Sequence, residues 1–255
     1  MGYKENQKKL LDDFQKRVSM GEKKDFLALS SQWGNVSNRL EKRITELSKL
    51  AEQGKITPNK LYQLNEYKLF LAESKNQVKF FAEYSESVIS KGQIKSALLG
   101  LNLGQEVLGS LGVKVTKLNI NATNLMIGMS ADGSPLNELL MKSYPESVLR
   151  LTNTLIEGTA LGRNPKVIAR MMKEDMNGNL SRALTICRTE ELNAFRESNR
   201  QQLEESGYVS KWEWSAESNA CDICLEKDGK TFPISESMDT HPNCRCGMLP
   251  VLDKK

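Results

Sequence analysis

The chain has 255 residues, 39% of them hydrophobic and 27% charged, a balance that supports a buried core and excludes wholesale disorder. Its 36 Lys and Arg against 32 Asp and Glu leave a formal net charge of +4, too small to argue for a nucleic-acid partner by itself. Residues 1–9 are polar and charged with no apolar segment behind them, so no signal peptide is read there. Met1-Gly2 opens as a myristoylation site does, but Asn6 stands where Ser or Thr is required. The most apolar stretch, Ala97 to Val115, contains Gln105 and Glu106 and is too polar to span a bilayer. The chain is therefore read as made and folded in the cytoplasm.

The first half reads as helix. Leu10, Phe14 and Val18 share one face, and Trp33, Val36, Leu40, Ile44, Leu47 and Ala51 continue in steps of three or four. Gly54 is expected to end that helix, and Thr57-Pro58 supplies an N-cap and a first-turn proline for the next. Its apolar positions include Leu61, Leu64, Leu71, Val78, Phe81 and Val88, and it is expected to end near Ser90. Residues 92–133 are read as an irregular connector punctuated by Gly92, Gly100, Gly104, Gly109 and Gly112. The Gly100-x-x-x-Gly104 spacing leaves close helix contact as an alternative. Ala131-Asp132-Gly133 is a turn.

Helical signals return at Ser134-Pro135, at Ser143 with Glu146 as a capping box around Pro145, and at Asn164-Pro165. Asn177-Gly178-Asn179 is expected to break the chain before a last helix from about Leu180 to Ser206, closed by Gly207. Cys187 falls on the apolar side of that helix and is read as core.

Beyond Gly207 the pattern changes period. Trp212 and Trp214 alternate with Lys211, Glu213 and Ser215, a strand signature, and both indoles are read as core that covers one side of a sheet. Asp228-Gly229 is a turn, and Met248 to Leu252, interrupted by Pro250, reads as an edge strand. The expected fold is mainly α with a small α+β C-terminal module, in which long helices lead into a short antiparallel sheet stapled by a Cys/His metal site. The expected divisions are a helical region over 1–115, a helical middle over 116–206 and the small module over 207–255.

Four of the five cysteines crowd into Cys221 to Cys246, beside the single histidine. Cys221-x-x-Cys224, a gap of sixteen residues, and His241-x-x-Cys244 form two half-sites, and Cys246 follows at once. A two-residue gap lets one tight turn aim two donors at one ion, and a short hairpin is expected to join the pairs. Zinc takes four such donors tetrahedrally at about 2.0–2.3 Å. The candidate metal ligands are Cys221, Cys224, His241 and Cys244 around a structural Zn2+, with Cys246 able to replace Cys244. Buried apolar cysteines or two disulfides are the other readings of the same residues. A module of about fifty residues buries little surface, so a metal staple has a physical reason to be there.

The order of Arg188-Thr189-Glu190 on a helix, then Trp212, Cys221-x-x-Cys224, Asp228-Gly229-Lys230-Thr231-Phe232, His241-Pro242-Asn243-Cys244-Arg245-Cys246 and Leu249-Pro250-Val251 resembles the C-terminal domain of tailed-bacteriophage head morphogenesis proteins of the Mu F-like minor head type. The resemblance covers about residues 145 to 252, and Asp239-Thr240 stands before His241 where family members often have proline. It implies a minor capsid component inside the virion head near the portal, assembled in the host cytoplasm. Portal and capsid proteins are the implied partners, with a part in head morphogenesis, DNA packaging or DNA ejection. Arg188 and Glu190 project about 200° apart on a helix and cannot share one site. One of them is expected to tie the helix to the metal module, in a structural network with Trp212.

A zinc-containing nucleic-acid binder is the alternative. Residues 206–255 carry six Lys or Arg against eight Asp or Glu, a net −2 that repels phosphate. Basic residues such as Lys8, Lys9, Lys16, Arg17, Lys23 and Lys24 are interleaved with acids and read as a solvated helix, which leaves only non-specific contact with packaged DNA. No catalytic residue is assigned and the chain is read as no enzyme. Its one histidine is taken as a ligand, no Gly-rich phosphate loop or Ser-His-Asp set is present, and four ligands close the site to substrate.

Overall fold

A computed structural model describes residues 3–52, 65–122, 127–130, 132–161, 163 and 165–252. The expected stop at Gly54, the start at Thr57-Pro58, Leu61, Leu64, Ala131 and Asn164 lie outside the described residues. Long helices followed by a small antiparallel sheet are what the chain forms. Helix α1 spans Tyr3–Glu52 and α2 spans Asn65–Ser110. A 3-10 turn at Ile120–Ala122 and the short helix α3 (Leu136–Met141) lead to α4 (Tyr144–Ala160) and α5 (Pro165–Glu205). Strand β1 (Val209–Ser215), helix α6 (Asp222–Lys227), β2 (Thr231–Pro233) and β3 (Gly247–Leu252) complete the order.

The expected end of the second helix near Ser90 is wrong. Helix α2 continues through Gly92, Gly100 and Gly104 to Ser110. A Cβ at Gly100 would meet the Phe195 carbonyl oxygen at 2.1 Å, and one at Gly104 would meet the Gln202 side chain at 2.8 Å. These glycines let α2 come against the α5 backbone at Phe195 and the Gln202 side chain, and that packing outweighs a helix-propensity cost of about 1 kcal/mol each. The helix ends where Gly112 takes φ +74°. There Val113 N–H donates to the Leu108 carbonyl at 3.1 Å and Gly112 N–H to Gly109 at 3.0 Å, a Schellman closure.

The expected break at Asn177-Gly178-Asn179 is also absent, because α5 runs unbroken from Pro165 to Glu205. Asn179 is buried, and its Oδ1 accepts from the hydroxyls of Ser147 at 2.9 Å and Ser143 at 3.4 Å. The residue that reads as a turn former thus accepts from Ser147 on α4 and from Ser143 just before it, while Ile168, Met172 and Ala183 anchor the helix in a core on either side.

The residues divide into two compact units. One comprises Phe26–Val88 and Leu136–Leu184, around a core of Trp33, Leu40, Phe70, Phe81, Leu155 and Met172 with the Trp33 and Phe81 rings 4.8 Å apart. The other comprises Met1–Asp25, Ile89–Pro135 and Thr185–Lys255 and contains the sheet. There Leu11, Phe14 and Val18 of α1 pack with Leu103, Phe195, Val209 and Leu249. The sheet order is β2-β1-β3, both pairings antiparallel, so β3 with Pro250 is an edge strand as expected. Trp212 and Trp214 bury the same face of β1. Gly207, at φ +69°, ends α5 and turns the chain into the sheet.

Candidate metal centre

Cys221 stands immediately before α6, and its carbonyl accepts from the N–H groups of Cys224 and Leu225, both at 2.9 Å. That first turn folds the two-residue gap so that both thiols face one point. The second half-site is a tight turn closed by Cys244 N–H donating to the His241 carbonyl at 3.1 Å. Its third residue, Asn243, has φ +64°, a left-handed conformation that asparagine adopts more readily than other side chains with a Cβ. The half-sites are joined by α6 and by β2, which pairs with β1, rather than by the expected hairpin.

The donors meet. His241 Nε2 lies 3.3 Å from Cys221 Sγ and 3.2 Å from Cys224 Sγ, and Cys224 Sγ lies 3.8 Å from Cys244 Sγ. Cys246 lies with Cys224 and Cys244 inside a sphere in which ligand atoms are within 4.8 Å of one another. A tetrahedral zinc with bonds of about 2.3 Å to sulfur and about 2.05 Å to nitrogen requires edges of about 3.8 Å for S···S and about 3.6 Å for S···N. The S···S edge agrees, and the S···N edges are short by a few tenths. All five cysteines are free thiols, so the two-disulfide reading does not describe this cluster.

Crowding sets the ionisation of the thiols. Cys246 is pulled down to about 5, first because the Cys244 thiol donates to it, and Cys244 is pushed up by the same contact and then by burial. Burial pushes Cys224 up to about 11. A cation among the thiols would favour their thiolate forms. His241 Nδ1 lies 2.9 Å from the Pro242 carbonyl, which leaves Nε2 on the cluster side.

The loop carrying the second half-site is clamped by helices of the same unit. Arg196 of α5 is fully buried; its Nε donates to the Cys246 carbonyl at 2.8 Å and its Nη2 to the Cys244 carbonyl at 2.6 Å. Arg188 Nη1 donates to Asn243 Oδ1 at 3.1 Å, and Asn243 N–H donates to Thr189 Oγ1 at 3.1 Å. From α1, Gln15 Nε2 donates to the Arg245 carbonyl at 3.0 Å, while the Arg245 guanidinium reaches Ser19 Oγ at 2.9 Å and Glu22 at 3.3 Å. Arg188 also approaches Glu22 at 3.4 Å.

Of the three residues expected to form a network, Arg188 reaches the metal loop. Glu190 is buried and faces a cavity of about 510 Å³ shared with Gln93, Asn193, Glu197 and Met238. Trp212 stacks on Phe232 at 4.6 Å and donates its indole N–H to the Glu236 carbonyl at 2.8 Å, so it braces the chain between the half-sites. Sequence reading missed Arg196. It also took the acids of α1 as solvated, whereas Glu22 and Asp25 are buried beside Glu191 of α5. Burial lifts Glu191 to about 8 and raises Glu22 and Asp25 as well. Cys187 is buried, as expected of core, and donates to Glu191 Oε1 at 3.0 Å.

Among the described residues no helix is long and apolar enough to cross a membrane. No curated protein and no solved structure matches the chain. Residues 150–249 match the family described as Phage Mu protein F like protein, which bears out the resemblance over nearly all of the stretch that carried it.

Proposed function

We propose, from the Phage Mu protein F like character of residues 150–249, that this chain is a minor head protein of a tailed bacteriophage. It works inside the head near the portal, in head assembly, DNA packaging or DNA ejection, and it is assembled in the host cytoplasm. Its partners are portal and capsid proteins, and its contact with packaged DNA is non-specific. The observation that carries this reading is the match itself, over a region that includes the clamped His241-to-Cys246 loop.

The Cys/His cluster holds one structural Zn2+ through Cys221, Cys224, His241 and Cys244. The soft donor set and the 3.8 Å edge between Cys224 and Cys244 support this choice of metal. When bound, the ion contributes cross-linking, and the protein residues do the rest. The first turn of α6 orients one pair of donors, the Asn243 turn orients the other, and the Trp212 and Trp214 face shields the cluster. The role is structural rather than catalytic. In support, the only histidine is engaged at both ring nitrogens within the site.

Quantitative mass spectrometry of DNA-free and DNA-filled heads, purified from the producing host, tests the reading. The chain is expected in both in a few copies, enriched with the portal protein when heads are taken apart. Its absence from both, with free protein remaining in the lysate, overturns it.

A further inference from the structure

We infer that Arg196 is the counter-cation of the metal centre, a positioning residue that holds the Cys244–Cys246 loop and balances the charge its thiolate ligands carry. The inference rests on the metal-binding reading above. It starts from an electrostatic mismatch. The Arg196 side chain is 3% exposed, and its three acceptors are neutral: the Cys246 carbonyl at 2.8 Å, the Cys244 carbonyl at 2.6 Å and Asn193 Oδ1 at 3.2 Å. The nearby carboxylates are engaged elsewhere. Glu22 faces Arg188 and Arg245, while Glu197 and Glu204 face Arg200. Among the described residues no carboxylate makes an ion pair with Arg196. A guanidinium without a buried anion is strongly unfavourable, because carbonyl dipoles replace only part of its hydration.

The sulfur cluster is the potential negative charge that Arg196 lies against, since it grips cysteines 244 and 246 by their backbones, and the Glu22 carboxylate adds to it. A divalent ion with three thiolates and one neutral imidazole carries 2 − 3 = −1, which one arginine cancels. The same ion with four thiolates carries −2 and leaves an excess in a buried place. One arginine therefore matches the charge of a three-cysteine, one-histidine site.

The full-length chain with Arg196→Met, Arg196→Gln and Arg196→Lys tests this. Methionine keeps the apolar stem, glutamine keeps a donor for the carbonyls without charge, and lysine keeps the charge without the fork. Zinc affinity, by competition with a chelator, is expected to fall about 10–100-fold for methionine and glutamine and to recover most of that loss for lysine. In the cobalt-substituted chains the thiolate-to-metal charge-transfer band is expected to move to longer wavelength when the positive charge is removed and to return with lysine. A purely structural arginine would lower apo and metal-loaded melting temperatures alike and leave the band in place. Equal affinity and an unmoved band in all three variants overturn the role of Arg196 while the metal site stands. Lysine behaving like methionine overturns the charge argument. A parent chain that binds neither zinc nor cobalt removes the metal centre and this inference together. Should Arg196→Met fail to fold, the glutamine and lysine pair carries the same comparison.

Discussion

Replacing Gly100 with alanine places a methyl carbon 2.1 Å from the Phe195 carbonyl oxygen, 2.2 Å from Ser198 Oγ and 3.0 Å from the Asn199 nitrogen. A serine hydroxyl can rotate away, but a helix carbonyl moves only with its helix. Restoring a C···O contact of about 3.3–3.6 Å from 2.1 Å requires α5 to back off from α2 by roughly 1.2–1.5 Å. Overpacking of this kind costs about 1–3 kcal/mol, occasionally more, against which alanine recovers about 1 kcal/mol of helix propensity. We expect a net loss of up to about 2 kcal/mol, seen as a melting temperature lower by as much as roughly 4–8 °C for a chain of this size. Gly109→Ala is the matched control. It lies in the same helix and unit with nothing within 4 Å of the new methyl, so it should gain about 1 kcal/mol and melt higher. Urea and thermal unfolding followed by far-UV circular dichroism, at saturating metal, read both. If Gly100→Ala is as stable as Gly109→Ala, the close approach of α2 and α5 is wrong and the connector reading returns.

The buried Glu191 makes stability fall with pH. Its folded value, raised from 4.5 to about 8, means the folded chain holds a proton that the unfolded chain has released, so stability is lost as pH rises between those limits. Asp25 and Glu22 act in the same direction, Cys187 donates to Glu191, and Lys95 opposes. Glu191→Gln, whose amide can accept from Cys187, should flatten the decline between about pH 5 and 8 and stabilise the chain at pH 9 by a few kcal/mol, at about 1.4 kcal/mol per pH unit. An unchanged pH profile in urea titrations would remove Glu191 as its source. For the fourth ligand, Cys244→Ser should weaken zinc binding at least about 10-fold more than Cys246→Ser in chelator competition. The reverse order would put Cys246 on the metal.

The metal cluster and the sheet were legible because their signals are local. Each half-site is a two-residue gap that one turn can close, and the Trp212–Trp214 alternation names a strand face without reference to anything distant. The long helices were legible as helix but not in extent. Gly100 reads as a breaker until Phe195 is known to lie against it, and Asn179 reads as a turn until Ser147 is known to bond to it. Arg196 escaped for the same reason. Its acceptors are 48 and 50 residues away, and one arginine on a charged helix carries no periodic or spacing signal. The available hint was its position beside Phe195 and four residues after Leu192, on the buried side of α5. Glu22 and Asp25 were misread because charge alternation along α1 looks solvated, whereas burial depends on which helices cover that face.

Metal analysis of the full-length protein, purified without chelator, bears most directly on the whole picture. The donor geometry predicts about one zinc per chain, reduced to near zero by Cys221→Ser with a lowered melting temperature. A native preparation that contains no metal, and that melts where a zinc-saturated sample melts, would contradict it.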